Sequence, residues 1–424
     1  MLGAALGYMR LMQNTKLSPE EIEKMQWRKF KEILAYAYDQ VPFYREKFQK
    51  VWITPDDIQS RKDIAKIPVT TKEELRKAGN KIFATGYAKN NCKSSRTSGA
   101  KGLPFTSYFD TQAWHLLKYA SKLRARRLCL LKFGSKVVNI ECENKQTIKK
   151  LNNRPWYQDK VLKLRYLTVF DDIKQHINFY TDFKPDALYG LTSYFLQLGH
   201  YIHRNSIKWN QPKIIFTSGE MLDVHTKNKL QNYFGSQVYD IYGSTELKEV
   251  AWECPKHEGY HINEDLYLVE FINKDKSADD GEIVVTSLVN HAMPLIRYDT
   301  GDRGKALEKR CSCGLPFALM GPSQGRAVDY FILPDKPPVS PYALTMTIEQ
   351  IQGILQYQII QHTTVDIEVK IRPLDSCSEQ MKQDIRRELK KLLGESIKIH
   401  ITPYPQIPRE KSGKYQVVKS EVKM

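Results

Sequence analysis

Four short segments concentrate the residue types that handle phosphate and charge. Thr97-Ser98-Gly99-Ala100-Lys101-Gly102 packs two hydroxyls, two glycines and an ammonium into six residues. Glycines let the backbone turn several N–H groups toward one anion, and hydroxyl and ammonium donors add to the cradle. The segment lacks the Gly-Lys-Ser/Thr ending of a P-loop, which argues against that nucleotide class. Read alone, it is more simply a polar surface turn. Tyr242-Gly243-Ser244-Thr245-Glu246 follows a predicted strand and offers a flat ring for a purine, a hydroxyl for phosphate and a carboxylate for Mg²⁺. A Gly-Ser turn entering a helix at Glu246 accounts for it equally well. Asp302, closing Tyr298-Asp-Thr-Gly-Asp302, can accept hydrogen bonds from two ribose hydroxyls or serve as a turn aspartate. Lys414 ends Pro408-Arg-Glu-Lys-Ser-Gly-Lys414, where an ammonium on a mobile segment can neutralise charge at a pentavalent phosphorus; the alternative is a solvated tail lysine beside Lys411.

A second constellation is metal-like. Cys254-Pro-Lys-His257-Glu-Gly-Tyr-His261 and Cys311-Ser-Cys313 supply three thiols and a choice of two imidazoles. Cys₃His is a regular tetrahedral zinc set, closed and therefore structural. Cys-x-Cys is tighter than the usual spacing, so three unrelated buried thiols stand as the alternative. His261 is the preferred fourth ligand and His257 the reserve.

The elements that must position these groups are legible in outline. Ser18-Pro-Glu-Glu21 is a capping box opening a helix with Ile22, Met25, Phe30, Ile33 and Leu34 at near-helical spacing. Val41-Pro ends it, and Ile67-Pro-Val-Thr-Thr71 starts another capped segment. Lys213–Thr217 reads as a strand entering a Ser218-Gly219-Glu220 turn, then a polar helix; Gln237–Tyr242 reads as a second strand. Strand–turn–helix repetition predicts an α/β architecture with ligand groups at strand C-terminal ends. Leu266–Ile272 and Gly281–Thr286 read as antiparallel strands. Beyond Gly325-Arg326, strand Val365–Ile371, helix Glu379–Leu393, the C-cap Gly394 and strand Ile397–Ile401 predict a small α+β domain.

The 424 residues imply two or three domains, and 41% hydrophobic content suits a sizeable core. No apolar run reaches the roughly 20 residues of a membrane-spanning helix, and the apolar start lacks a basic n-region and a cleavage site. Seven cysteines without a regular framework agree with a reducing compartment, so a cytoplasmic location is expected. The net charge of +17 invites anionic partners. Its densest run, Lys122–Arg127, reads as a solvated helix face, with phosphate docking or weak membrane-surface contact as alternatives. No nucleic-acid-reading motif is present.

In this order, Thr-Ser-Gly-x-x-Gly-x-Pro, Ser218-Gly-Glu220, Tyr-Gly-x-Thr-Glu, Thr-Gly-Asp, Gly-Arg and Pro-Arg-x-x-x-Gly-Lys resemble the adenylate-forming superfamily. Phe43-Tyr44 after Val-Pro and Pro185-Asp-Ala-Leu-Tyr-Gly190 are most similar to its phenylacetate–CoA ligase branch, and within that to relatives in capsular polysaccharide gene clusters. The resemblance implies a large multi-sheet adenylate-forming domain, residues 1–327, and a small mobile α+β domain, residues 328–424, that rotates about a hinge near Val328-Asp329. It implies a carboxylic acid ligase that uses ATP and Mg²⁺ to form an acyl-adenylate and then passes the acyl group to CoA. Alternatives are transfer to a sugar or carrier in surface-polysaccharide synthesis, and a non-catalytic nucleotide-binding relative. Carried over, Thr97, Ser98, Gly99, Lys101 and Gly102 hold the β,γ-phosphates. Ser218, Gly219, Glu220, Tyr239, Tyr242 and Gly243 frame the adenine, and Asp302 with Arg326 holds the ribose. Thr245 meets the α-phosphate, Glu246 the Mg²⁺, and Lys414 bridges phosphate and carboxylate. Similar cysteines occur in that branch, which favours zinc. Lys101, Val328 and Leu333-Pro-Asp-Lys-Pro-Pro338 depart from the family pattern and put CoA as acceptor in question. By analogy Tyr189–Phe195 and Phe216-Thr217 border an acyl pocket, or are simply core.

Overall fold

The computed structural model describes residues 2–96, 105–153, 163–273, 280–326, 329–334, 338–409 and 415–422. The chain forms two compact units, one of residues 1–130 and 241–321, the other of residues 131–240 and 322–424.

In the first unit, the helix Pro19–Gln40 starts as its residues dictate. Ser18 accepts from the Glu21 N–H while the Glu21 carboxylate accepts from the Ser18 N–H, so two orphan donors are satisfied at once. Its inner face buries Ile22, Phe30, Ile33, Leu34 and Ala37, and Val41 caps it before Pro42 opens the helix Pro42–Gln49. Thr71 and Glu74 form a second capping box, which starts the helix Lys72–Ala78. Strands Tyr267–Ile272, Gly281–Ser287 and Tyr298–Gly304 pair antiparallel, with Val285 opposite both Val269 and Tyr298. A second antiparallel run joins Lys248–Glu253, Tyr260–Ile262, Leu319–Met320 and Ala306–Leu307.

The Lys122–Arg127 run is not the solvated face its composition suggests. Arg124 is fully buried, 2.6 Å from the equally buried Asp265, which also accepts from Asn14 at 2.7 Å. Arg126 is buried as well. A guanidinium survives burial because its planar fork meets a carboxylate with two hydrogen bonds. Composition registers the charge and cannot register the partner.

In the second unit, Val137–Glu141, Leu164–Thr168, Ala187–Gly190 and Ile214–Ser218 form a parallel sheet flanked by the helices Ile173–Phe183, Thr192–Arg204 and Val224–Phe234. Tyr194, Phe195 and Phe216 are sealed in this region, with the Tyr194 hydroxyl bonded to His176 and Tyr180, so the core reading holds for these three aromatics. The C-terminal part has its own sheet, in the order Lys398–Pro403, Asp366–Pro373, Ile354–Thr363, Val418–Ser420, and its own core around Ile359, Val369, Ile385 and Leu389. The helix Glu379–Leu393 and its Gly394 C-cap lie where the sequence pattern puts them. The helix Pro341–Glu349 and the long strand Ile354–Thr363 are additions the pattern did not reveal. Among the described residues no helix is long and apolar enough to cross a membrane.

Candidate functional site

The Tyr-Gly-Ser-Thr-Glu segment is a hairpin turn and does not lead into a helix. The strand Gln237–Ser244 turns through Thr245 and Glu246 and returns as Lys248–Glu253. Gly243 is obligatory here: a Cβ at this position would stand 2.0 Å from the Lys248 carbonyl oxygen. Lys248 itself adopts a left-handed backbone at φ 66°, uncommon for a residue other than glycine. Its ammonium donates to the Thr245 carbonyl at 2.6 Å and sits 5.0 Å from the Phe109 ring and 5.6 Å from that of Trp114. Burial, reinforced by the Lys118 charge, lowers its pKa to about 7 against the opposing pull of Glu246.

Two motif segments are joined at this turn. The Tyr242 hydroxyl donates to Asp302 Oδ2 at 3.1 Å, and the Tyr298 hydroxyl donates to Glu246 Oε1 at 3.1 Å. Tyr242 and Asp302 are therefore neighbours, as are Glu246 and the start of the Tyr298–Asp302 segment. Burial and the Asp302 charge hold the Tyr242 phenol well above its ordinary pKa, so it stays a hydrogen-bond donor. Glu246 is 4% exposed and carries a cation already: Lys72 Nζ lies 2.6 Å from Oε1. Burial pushes this carboxyl upward, but the Lys72 charge and the hydrogen bonds prevail and leave its pKa below the usual value. An ionised carboxylate is the kind of ligand Mg²⁺ takes from a protein, one or two of them with phosphates and water completing the shell, although here Lys72 already neutralises it.

The remaining nucleotide candidates lie in the second unit. Gly219 has φ 79°, the left-handed turn that ends the strand Ile214–Ser218. The Glu220 carboxylate accepts from the Ser193 N–H at 2.8 Å, the Ser193 hydroxyl at 2.9 Å and the Tyr415 N–H at 2.9 Å. Tyr239 is 2% exposed and lies beside Phe216, so only its backbone can frame a base. Arg326 is exposed on the strand Gly325–Arg326. Thr97, Ser98, Gly99, Lys101, Gly102, Val328 and Lys414 lie outside the described residues.

The thiol cluster assembles. Cys254, His261, Cys311 and Cys313 bring one ligand atom each to within 4.8 Å of the others. Cys254 and Cys311 sulfurs are 3.0 Å apart, and His261 Nε2 is 3.1 Å from Cys313 Sγ. His261 Nδ1 lies 3.2 Å from the Phe317 carbonyl, so it carries the proton and leaves Nε2 with its lone pair toward the sulfurs. Burial lowers the His261 pKa to about 4, keeping the ring neutral as a metal ligand must be. Burial, largest of the causes, raises the Cys311 and Cys313 thiols, and a bound cation would reverse that. Donor type, number and convergence fit a structural zinc ion. His257 turns instead to Glu253, 3.0 Å away.

Sequence reasoning did not single out Lys72 or Lys248, and it held Ser193 and Arg409 only as members of longer segments. Lys72 follows a recognisable cap, yet nothing local to it announces Glu246. Lys248 carries the one usable signal, a lysine two residues after a Gly-containing strand-end turn.

Residues 331–421 match the CapK C-terminal domain. Nearly the whole chain is similar to phenylacetate–coenzyme A ligases: 23% identical to that of Thermus thermophilus, covering 95% of this chain and 97% of the relative, and 25% identical to that of Escherichia coli, covering 94% and 96%. Among solved structures, a 2-hydroxyisobutyryl-CoA ligase in the post-adenylation state superposes with a TM-score of 0.79 at 17% identity, over 96% of this chain and 91% of that one. An anthranilate CoA ligase gives 0.57 at 14% identity, over 95% and 80%. The fold is that of the adenylate-forming CoA ligases. In sequence the chain resembles phenylacetate–CoA ligases over nearly its whole length, and its C-terminal segment matches the CapK C-terminal domain.

Proposed function

We propose that this chain is an ATP-dependent carboxylic acid ligase. A carboxylate oxygen bonds to the α-phosphorus of ATP, pyrophosphate leaves, and the acyl group then passes from AMP to the thiol of CoA. The observation that carries this reading is the union of its motifs: Tyr242 with Asp302, and Glu246 with Tyr298 and Lys72, in a chain similar over its length to CoA ligases. Asp302 and Arg326 hold the ribose. Tyr242 and the backbone of Gly243, Ser218–Glu220 and Tyr239 frame the adenine. Thr97, Ser98, Gly99, Lys101 and Gly102 cradle the β,γ-phosphates, while Thr245 meets the α-phosphate. When bound, Mg²⁺ neutralises phosphate charge, and Glu246 is the residue that holds it. Lys414 bridges the α-phosphate and the acid, a preorganised charge of the kind that dominates such steps. Cys254, His261, Cys311 and Cys313 would hold a zinc ion that braces their connections without entering the chemistry.

The CapK C-terminal match favours a second reading of the acceptor: a sugar or carrier in surface-polysaccharide synthesis. ATP–pyrophosphate exchange over aryl, short-chain and amino acids, with and without CoA, separates the two. Exchange with one acid and CoA-dependent product supports the first; exchange without thioester supports the second. Lys414→Ala should abolish exchange and spare ATP binding. No exchange with any acid sinks both.

A further inference from the structure

The segment of residues 410–414, which ends on Lys414, is flanked by two anchors that converge on one carboxylate. On its N-terminal side, Arg409 Nη1 donates to the Ser193 hydroxyl at 2.7 Å and lies 4.0 Å from Glu220 Oε1. On its C-terminal side, the Tyr415 N–H donates to the same Glu220 oxygen at 2.9 Å. Ser193 completes the node by donating its N–H and its hydroxyl to Glu220, at 2.8 and 2.9 Å, while its hydroxyl oxygen accepts from Arg409. The Glu220 side chain is 8% exposed and that of Arg409 14%, so water competes little for these bonds. The Tyr415 hydroxyl donates to the Tyr357 carbonyl, and Gln416 donates to Asp329 at 3.1 Å, which secures the chain beyond. Glu220 thus spends its carboxylate on the C-terminal segment, and leaves only its backbone for a base.

We infer that Glu220 is a positioning residue: with Ser193 it clasps Arg409 and Tyr415, fixing both ends of the segment that carries Lys414 for adenylate formation. The inference rests on the ligase reading above for its catalytic consequence, and on the hydrogen bonds alone for its structural one. The clasp joins the parallel-sheet part of this unit to its C-terminal part. It belongs to the first half-reaction, because only that step needs Lys414 at the α-phosphate. Loss of one such constraint displaces a charge without removing it, which costs catalysis roughly 10–100-fold.

Glu220→Gln tests the clasp with little change of shape. An amide has one accepting oxygen for three donors, so at least one N–H is left facing an NH₂. Ser193→Ala is the milder companion should Glu220→Gln fold poorly. The first measurement needs no substrate: trypsin cleavage after Lys411 and Lys414 in the full-length protein. Both variants should be cut there at least about threefold faster than wild type while melting cooperatively. Cleavage at the wild-type rate in both overturns the clasp. The second uses phenylacetate and preformed phenylacetyl-adenylate as probes. Glu220→Gln should lower ATP–pyrophosphate exchange about tenfold or more and CoA-dependent consumption of the adenylate by a clearly smaller factor. Equal losses in both half-reactions overturn the positioning role. A wild-type protein silent in exchange counts against the functional reading with this acid, and proteolysis then decides the clasp by itself.

Discussion

Lys248 and Gly243 lock each other in place at the residue level. The Lys248 carbonyl fills the space a Gly243 side chain would need, while its ammonium returns to the Thr245 carbonyl. Gly243→Ala should therefore destabilise by about 3–4 kcal/mol, read as a lowered denaturant midpoint, because backbone must move to admit a methyl. Lys248 also makes stability depend on pH. Its folded pKa of about 7 lies below the ordinary 10.5, so the full cost of its charge is present below pH 7. As pH rises toward 10.5 the folded group sheds its proton first, and stability increases. Lys248→Met removes this titration and keeps the aromatic contact. It should raise Tm at about pH 6, with a gain that shrinks by about pH 9. A gain independent of pH would refute the assignment.

The thiol cluster works at the level of elements. Cys254 and His261 flank the turn between strands Lys248–Glu253 and Tyr260–Ile262, and Cys311 and Cys313 lie in the loop between Ala306–Leu307 and Leu319–Met320. A metal here ties two connections that otherwise hold by short strand pairings. Purified protein should contain one zinc per chain by elemental analysis. Cys311→Ser should lose it and melt lower by roughly 6–12 °C, the equivalent of ~3 kcal/mol in a unit of this size. Metal-free protein with an unchanged Tm would show that the thiols are only core.

For the whole molecule, the C-terminal segment holds a complete layer architecture of its own. Its core draws entirely on residues from Phe331 to Val418, and its sheet closes through the parallel pairing of Ile359 with Val418. A fragment of residues 328–424 should fold alone, with a cooperative thermal transition by circular dichroism. A fragment that stays unfolded would mean that the segment depends on residues 131–240, and the domain boundary proposed near 328 would fall.

Local chemistry was enough to write much of this structure in advance. Both capping boxes, the helix Glu379–Leu393 with its glycine stop, and the strand before Ser218 follow from hydroxyl, carboxylate and glycine placement within a few residues. The motif residues Tyr242, Glu246 and Asp302 were legible because their types suit phosphate, metal and ribose wherever the chain puts them. Tertiary structure alone decided who meets whom. It set Lys72 against Glu246 and Arg124 against Asp265, and it set the Glu220 carboxylate against the Tyr415 N–H. It also brought His261, the imidazole already preferred from the sequence, beside the three thiols and turned His257 to Glu253. The physical reason is common to all four. A charge or lone pair is stabilised by its complement at hydrogen-bond distance, and that distance is fixed by the packing of strands and helices far apart in sequence.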